Sequence, residues 1–331
     1  MNIVRRFKQP HVWMLLKIAI ALLLSFLIVS RINQGDLAAM PARLVFPWFA
    51  GALIASYAAV AFMALRYAVF LGKTVNRREL FSIVALQVAI GNLVATAAGM
   101  GSFVGMLRSR HGVRLTIGVT SLILSRAWDL ILLLFALALS SWILWSQIAP
   151  LHDLVLFLIA LLAVILVLFG LLLAWRAKLL GPMLRLGIWL RLGRFQLWGK
   201  ITDVLSDLVT GELGTQGGSA IALARYSVLS FAASFGFLYC VLQFLAVPLD
   251  LWIVIFMFSV LQLVAILPIQ VLGGLGVLDV TYLYLFGLFH IESVTALSVV
   301  IGIRVTFYLI NFLLLLYLPG ESVITHFQEN K

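Results

Sequence analysis

Charge is scarce in this sequence: Asp, Glu, Lys and Arg together supply 11% of 331 residues, while 64% are hydrophobic. That balance excludes a soluble globular protein and points to an all-α, polytopic transmembrane bundle. Cysteine is scarcer still, and the single Cys240 excludes an intrachain disulfide or a thiolate metal site. The five histidines (His11, His111, His152, His290 and His326) are scattered without metal-ligand spacing. No nucleophile–base pair, phosphate loop or zinc motif occurs. The expectation is a protein that is not an enzyme and holds no metal or cofactor. Acidic residues number 12 against 23 basic ones, a net charge of +11. In so apolar a chain that excess reports orientation in a membrane rather than nucleic acid.

Apolar runs separate the basic clusters. Arg5, Arg6 and Lys8 precede a run from about residue 12 to 29 with no convincing cleavage site, so it reads as a retained first span with Lys17 snorkelling to the headgroups. A second span covers about 44 to 71, with Arg66 near its inner end, where snorkelling is again the simple expectation. Further spans cover about 115 to 145, the run ending near Trp175 after a short outer turn at 146–153, 220 to 247, and 294 to 318, before a short polar tail. Between residues 176 and 218 lies a polar segment whose basic part, Arg176 to Lys200, is interleaved with Trp189, Phe195 and Trp198. It reads as an interfacial stretch on the anionic cytoplasmic leaflet, followed by a short amphipathic helix over 201–213. In this topology 16 of the 23 Lys and Arg lie on the cytoplasmic side and only Arg31 and Arg43 outside. The positive-inside rule then places both termini in the cytoplasm, in a multi-pass protein of a bacterial plasma membrane.

Two stretches do not read as simple spans. From Val260 to Val280 the apolar sequence is interrupted by Pro268, Gly273, Gly274 and Gly276, and it carries Gln262, Gln270 and Asp279. Proline removes a backbone donor and glycine frees the backbone, so a helix break is expected. A break at membrane depth is tolerated only where protein or a wet cavity satisfies the freed groups. From Leu80 to Leu107 a second run, broken at Gly99 and Gly101, has basic clusters at both ends, Lys73 to Arg78 and Arg108 to Arg114. A hairpin that enters and returns keeps both clusters inside. The two stretches align at an offset of 175: Leu86–Gln87 on Leu261–Gln262, and Gly99-Met-Gly101 on Gly274-Leu-Gly276. Each precedes a span with an arginine, Arg126 or Arg304, the second three residues out of register. The expected architecture is one integral membrane domain with two re-entrant hairpins in an inverted repeat, its halves at about 80–145 and 251–318.

Charges deep in a span cost roughly 2.5–3.5 kcal/mol on insertion scales and mark function by default. Arg126 and Asp129 share a helix face at i,i+3, and Asp279 and Arg304 pair across the second repeat. Two readings stand: structural ion pairs, or arginines that engage an anionic lipid phosphate, which a guanidinium binds bidentately. Gln87, Asn92, Gln262 and Gln270 then line a polar path, or bond one helix to another. An arginine beside each aspartate suits charge pairing better than general acid chemistry.

The run Pro268, Gly273-Gly274-Leu-Gly276-Val-Leu-Asp279, Gly287 and Arg304 resembles the flippase-like integral membrane family, also called the lysylphosphatidylglycerol synthase transmembrane-region family. Arg126-Ala-Trp-Asp129 is similar to its Arg-x-x-Asp element, and Asn92 to the asparagine opening its first motif. Asp279 stands where the family usually has glutamate. Thr96 stands near a usual proline, and Gly101 or Ser102 replaces a usual glutamate. The resemblance spans about residues 10 to 318. It implies a protein that moves or handles lipids. Lipid-aminoacylating members carry a soluble synthase domain, for which a chain ending at Lys331 leaves no room. The expected function is a flippase-like transporter of a polar-headed, anionic lipid or lipid-linked intermediate. The alternative is a non-transporting partner of a lipid-modifying or glycosyl-transferring enzyme, docked through Arg176 to Lys200.

Overall fold

The structure is a computed structural model that describes residues 43–72, 74–174, 220–266, 274 and 276–329. Among these residues it is all helical. In chain order the helices are α1 (Phe46–Leu71), α2 (Arg77–Leu93), α3 (Thr96–His111), α4 (Leu115–Ile143), α5 (His152–Ala174), α6 (Ala220–Phe244), α7 (Leu251–Ile266), α8 (Val277–Leu288) and α9 (Ser293–Glu329). Among the described residues five segments are long and apolar enough to cross a membrane, in α1, α4, α5, α6 and α9. The protein is therefore an integral, multi-pass membrane protein. The expected first span, the interfacial segment from 176 and the short helix over 201–213 lie outside the described residues. The turn expected at 146–153 contains a 3-10 turn at Ala149–Leu151 before α5. The polar tail is helical to Glu329, since α9 continues through Pro319.

α1 and α6 form the most extensive helix pair. They run antiparallel: the Val45 N–H donates to the Phe244 carbonyl at 2.9 Å, and the Ser230 hydroxyl donates to the Ala59 carbonyl at 3.3 Å. Gly51 lets α6 approach closely, since a Cβ there would sit 3.1 Å from Cys240 Sγ. Two apolar cores are stacked along the long helices. One, with Val84, Phe103 and Leu107, surrounds α2 and α3; the other, with Phe256, Met257, Leu285 and Phe286, surrounds α7 and α8. Helices α1, α4 and α9 contribute to both.

The helices of the two halves follow one another in the same order. α1, α2, α3 and α4 begin at 46, 77, 96 and 115; α6, α7, α8 and α9 begin at 220, 251, 277 and 293. The packing follows the same correspondence: α4 packs on α7 as α9 packs on α2, and α3 on α4 as α8 on α9.

The expected breaks at Gly99 and Gly101 are corrected. Both lie inside α3, and the chain turns at Val94–Ala95, whose N–H groups both point to the Ile90 carbonyl. Gly99 serves instead as a contact point. A Cβ there would meet the Gln87 carbonyl oxygen at 2.4 Å and Gly91 backbone atoms at 2.8 Å, whereas one at Gly101 meets nothing within 4 Å. Helices α2 and α3 thus touch backbone to backbone, the close approach small residues permit in membrane proteins. We expect Gly99→Ala to destabilise the protein by about 1–3 kcal/mol, the scale of overpacking. Gly101→Ala is expected to be neutral or to stabilise by roughly 0.5–1 kcal/mol through helix propensity. Thermal unfolding of the two variants in detergent checks the contrast.

Candidate functional site

The second hairpin is held at its end by charge. α8 starts at Gly276 (φ 81°), just after Gly274 (φ 79°), positions where a side chain would be strained. Asp279, third residue of α8 and 3% exposed, accepts from the Gly276 N–H through Oδ2 at 2.8 Å. A carboxylate there satisfies an amide that the helix start leaves without a partner, and it favours the positive end of the helix dipole. Its Oδ1 takes a hydrogen bond from Arg304 Nε on α9, and Arg304 Nη2 donates to the Gly274 carbonyl at 2.9 Å. The Asp279–Arg304 pair expected from sequence is therefore present, and each member also binds backbone at the helix break. Pro268, Gln270 and Gly273 lie outside the described residues.

α9 also reaches the first hairpin. Asn311, two turns beyond Arg304, accepts from Asn92 Nδ2 at the end of α2 at 2.9 Å and donates to the Phe307 carbonyl at 2.8 Å. Tyr57 on α1 donates to the Leu313 carbonyl at 3.0 Å. Gln87 is buried with no partner for its Oε1 among the described residues, and Gln262 is exposed on α7. Of the amides expected along a polar path, Asn92 joins α9 through Asn311.

The third cluster differs from the expectation. Arg66 does not snorkel. It is 1% exposed, and its two terminal nitrogens reach both carboxylate oxygens of Asp129, at 2.5 and 3.4 Å. Arg126, expected as the partner of Asp129, lies 3.6 Å from Oδ2 with its side chain 49% exposed. Asp129 therefore stands between two arginines, firmly bound to the buried one and loosely to the exposed one. Asp129 also takes the register position that Arg126 missed: 175 residues separate it from Arg304. Sequence reasoning missed Arg66 and Asn311. An arginine five residues inside a span end gives no sign of whether it turns outward or inward. Asn311, an amide in an apolar span, was a signal available to find it.

The family model described as "Lysylphosphatidylglycerol synthase TM region" matches residues 14–314. The chain belongs to that family. The match takes in all three clusters and both hairpins, so the residues quoted for the resemblance fall within the lysylphosphatidylglycerol synthase TM region. No curated protein and no solved structure matches the chain.

The two arginines beside Asp129 make different predictions. Asp129→Ala leaves a buried guanidinium unpaired and is expected to cost about 3–5 kcal/mol. Arg126→Gln leaves the Arg66–Asp129 pair intact and is expected to cost less than about 1 kcal/mol, as for exposed ion pairs. Unfolding midpoints of both variants decide the order; a larger loss in Arg126→Gln contradicts the assigned pairing.

Proposed function

We propose that this protein moves a polar-headed, anionic lipid between the leaflets of a bacterial plasma membrane without chemically altering it. The observation that carries the reading is that a single helix, α9, grips both hairpins, Arg304 holding the start of α8 and Asn311 the end of α2. Polar groups are thereby drawn into an otherwise apolar bundle, the placement found where transporters bind substrate between broken helices. Membership in a family named for the synthesis of an aminoacylated phospholipid supports a lipid as the cargo.

Helix lengths support re-entrance. α2, α3, α7 and α8 have 17, 16, 16 and 12 residues. At ~1.5 Å per residue the longest is roughly 26 Å, short of a hydrocarbon core of about 30 Å. Arg77 and Arg78 open α2 while Arg108 and Arg110 close α3, so a hairpin that returns keeps both basic clusters on one face. The repeated helix order, the matched packing and the antiparallel α1 and α6 support two repeats of opposite topology. In that arrangement the hairpins enter from opposite faces and a headgroup passes between them, with both termini in the cytoplasm.

Reconstitution tests the proposal. Vesicles containing the protein are expected to exchange a fluorescent anionic phospholipid between leaflets faster than protein-free vesicles. Arg304→Ala, which releases the start of α8, is expected to slow exchange by about tenfold or more, the effect of 1.4 kcal/mol. Asn311→Ala is expected to slow it less. Exchange no faster than in protein-free vesicles across several anionic lipids sinks the reading.

A further inference from the structure

Several serines in this bundle bond within their own helix. Ser121 donates to the Gly118 carbonyl, Ser140 to Ala136, Ser234 to Ser230 and Ser259 to Ile255. Ser125 on α4 and Ser227 on α6 do not. Both are fully buried, and neither hydroxyl has a partner among the described residues. The same holds for Arg66 Nε on α1, although the terminal nitrogens of that guanidinium are bound to Asp129. A buried donor left unpaired costs stability, and one on a charged group costs more.

The fold brings these three groups to one level. Helices α1, α4 and α6 each pack on the other two. Along α1, Ala52, Ala59 and Arg66 stand seven residues apart and are all buried, so they share a face. That face meets α6, since the Ala59 carbonyl accepts from the Ser230 hydroxyl. The two helices are antiparallel, so the step from Ser230 back to Ser227 follows the step from Ala59 on towards Arg66. A helical side chain also leans over the turn before its own Cα. The Arg66 stem is thereby carried towards Ser227, and the Asp129 carboxylate over Ser125, one turn earlier on α4. The guanidinium that Asp129 holds thus stands at the level of both serines.

We infer that one buried water molecule bridges Arg66 Nε, Ser125 Oγ and Ser227 Oγ and so joins α1, α4 and α6. It accepts from the Nε–H and from one hydroxyl and donates to the oxygen of the other. Three contacts are about the usual number for a buried water, and a bridged bond is nearly as favourable as a direct one. A chloride ion would meet the same donors, but the Asp129 carboxylate on the same guanidinium repels it. A metal cation is repelled by Arg66 itself. The water engages the remaining donor of Arg66 and so positions the arginine that holds Asp129. This bridge does not depend on the translocase reading.

Two measurements test it. An experimental map of the full chain is expected to show a solvent peak about 2.7–3.2 Å from all three atoms. No peak within reach of them overturns the inference. Unfolding equilibria in mixed micelles read the bridge independently. Ser125→Ala and Ser227→Ala are each expected to lower the folded-to-unfolded ratio about tenfold, the loss of a hydrogen bond to a charged group. The double variant is expected to fall little below either single one, because the first substitution already loses the water. Single variants without effect, or losses that multiply in the double variant, overturn the bridge. Replacing chloride by gluconate is expected to leave the wild type unchanged. A loss of stability on that exchange in the wild type but not in Ser125→Ala overturns the water in favour of an anion.

Discussion

A helix that stops inside an apolar bundle leaves amides and carbonyls with nothing to bond to, and this protein answers that constraint with a carboxylate of the helix itself and with side chains from α9. At the start of α8, Asp279 takes the Gly276 N–H and Arg304 donates to the Gly274 carbonyl, so an ion pair doubles as backbone satisfaction. Without it the break leaves buried polar groups whose loss of water is uncompensated. At the end of α2 the demand is smaller. The Val94 and Ala95 N–H groups still find the Ile90 carbonyl, and a single amide pair, Asn92 with Asn311, joins the turn to α9.

The two hairpins consequently have different mechanical characters. α2 and α3 are locked to each other by backbone contact at Gly91 and Gly99, and need little from outside. Ile266, 175 residues after Gly91, is exposed at the end of α7. At the start of α8 the second pair is tied to α9 by Arg304. Asp129 on α4 and Arg304 on α9 stand 175 residues apart and are opposite in sign, one needing a cation and the other an anion. Arg66 and Asp279 meet these needs from different helices.

Much of the architecture was legible in the sequence. Hydropathy gave the five described spans, and the Pro and Gly cluster gave the break before Asp279. The Asp279–Arg304 pair was legible because both residues are charges with no bland role in an apolar run. Gly99 misled, because glycine in a membrane helix serves close packing as readily as it breaks a turn. Arg66 misled because its environment is set by α4, a helix more than 40 residues further on, and local pattern carries no information about that contact. The i,i+3 spacing of Arg126 and Asp129 suggested a partnership that a better-buried arginine takes over.

Arg304 and Asn311 are seven residues apart on one unbroken helix, about 10 Å along its axis. A rigid rod attached at two points has fewer ways to move than two separate tethers. A tilt or slide of α9 therefore acts on the start of α8 and the end of α2 together, which couples the two through one helix.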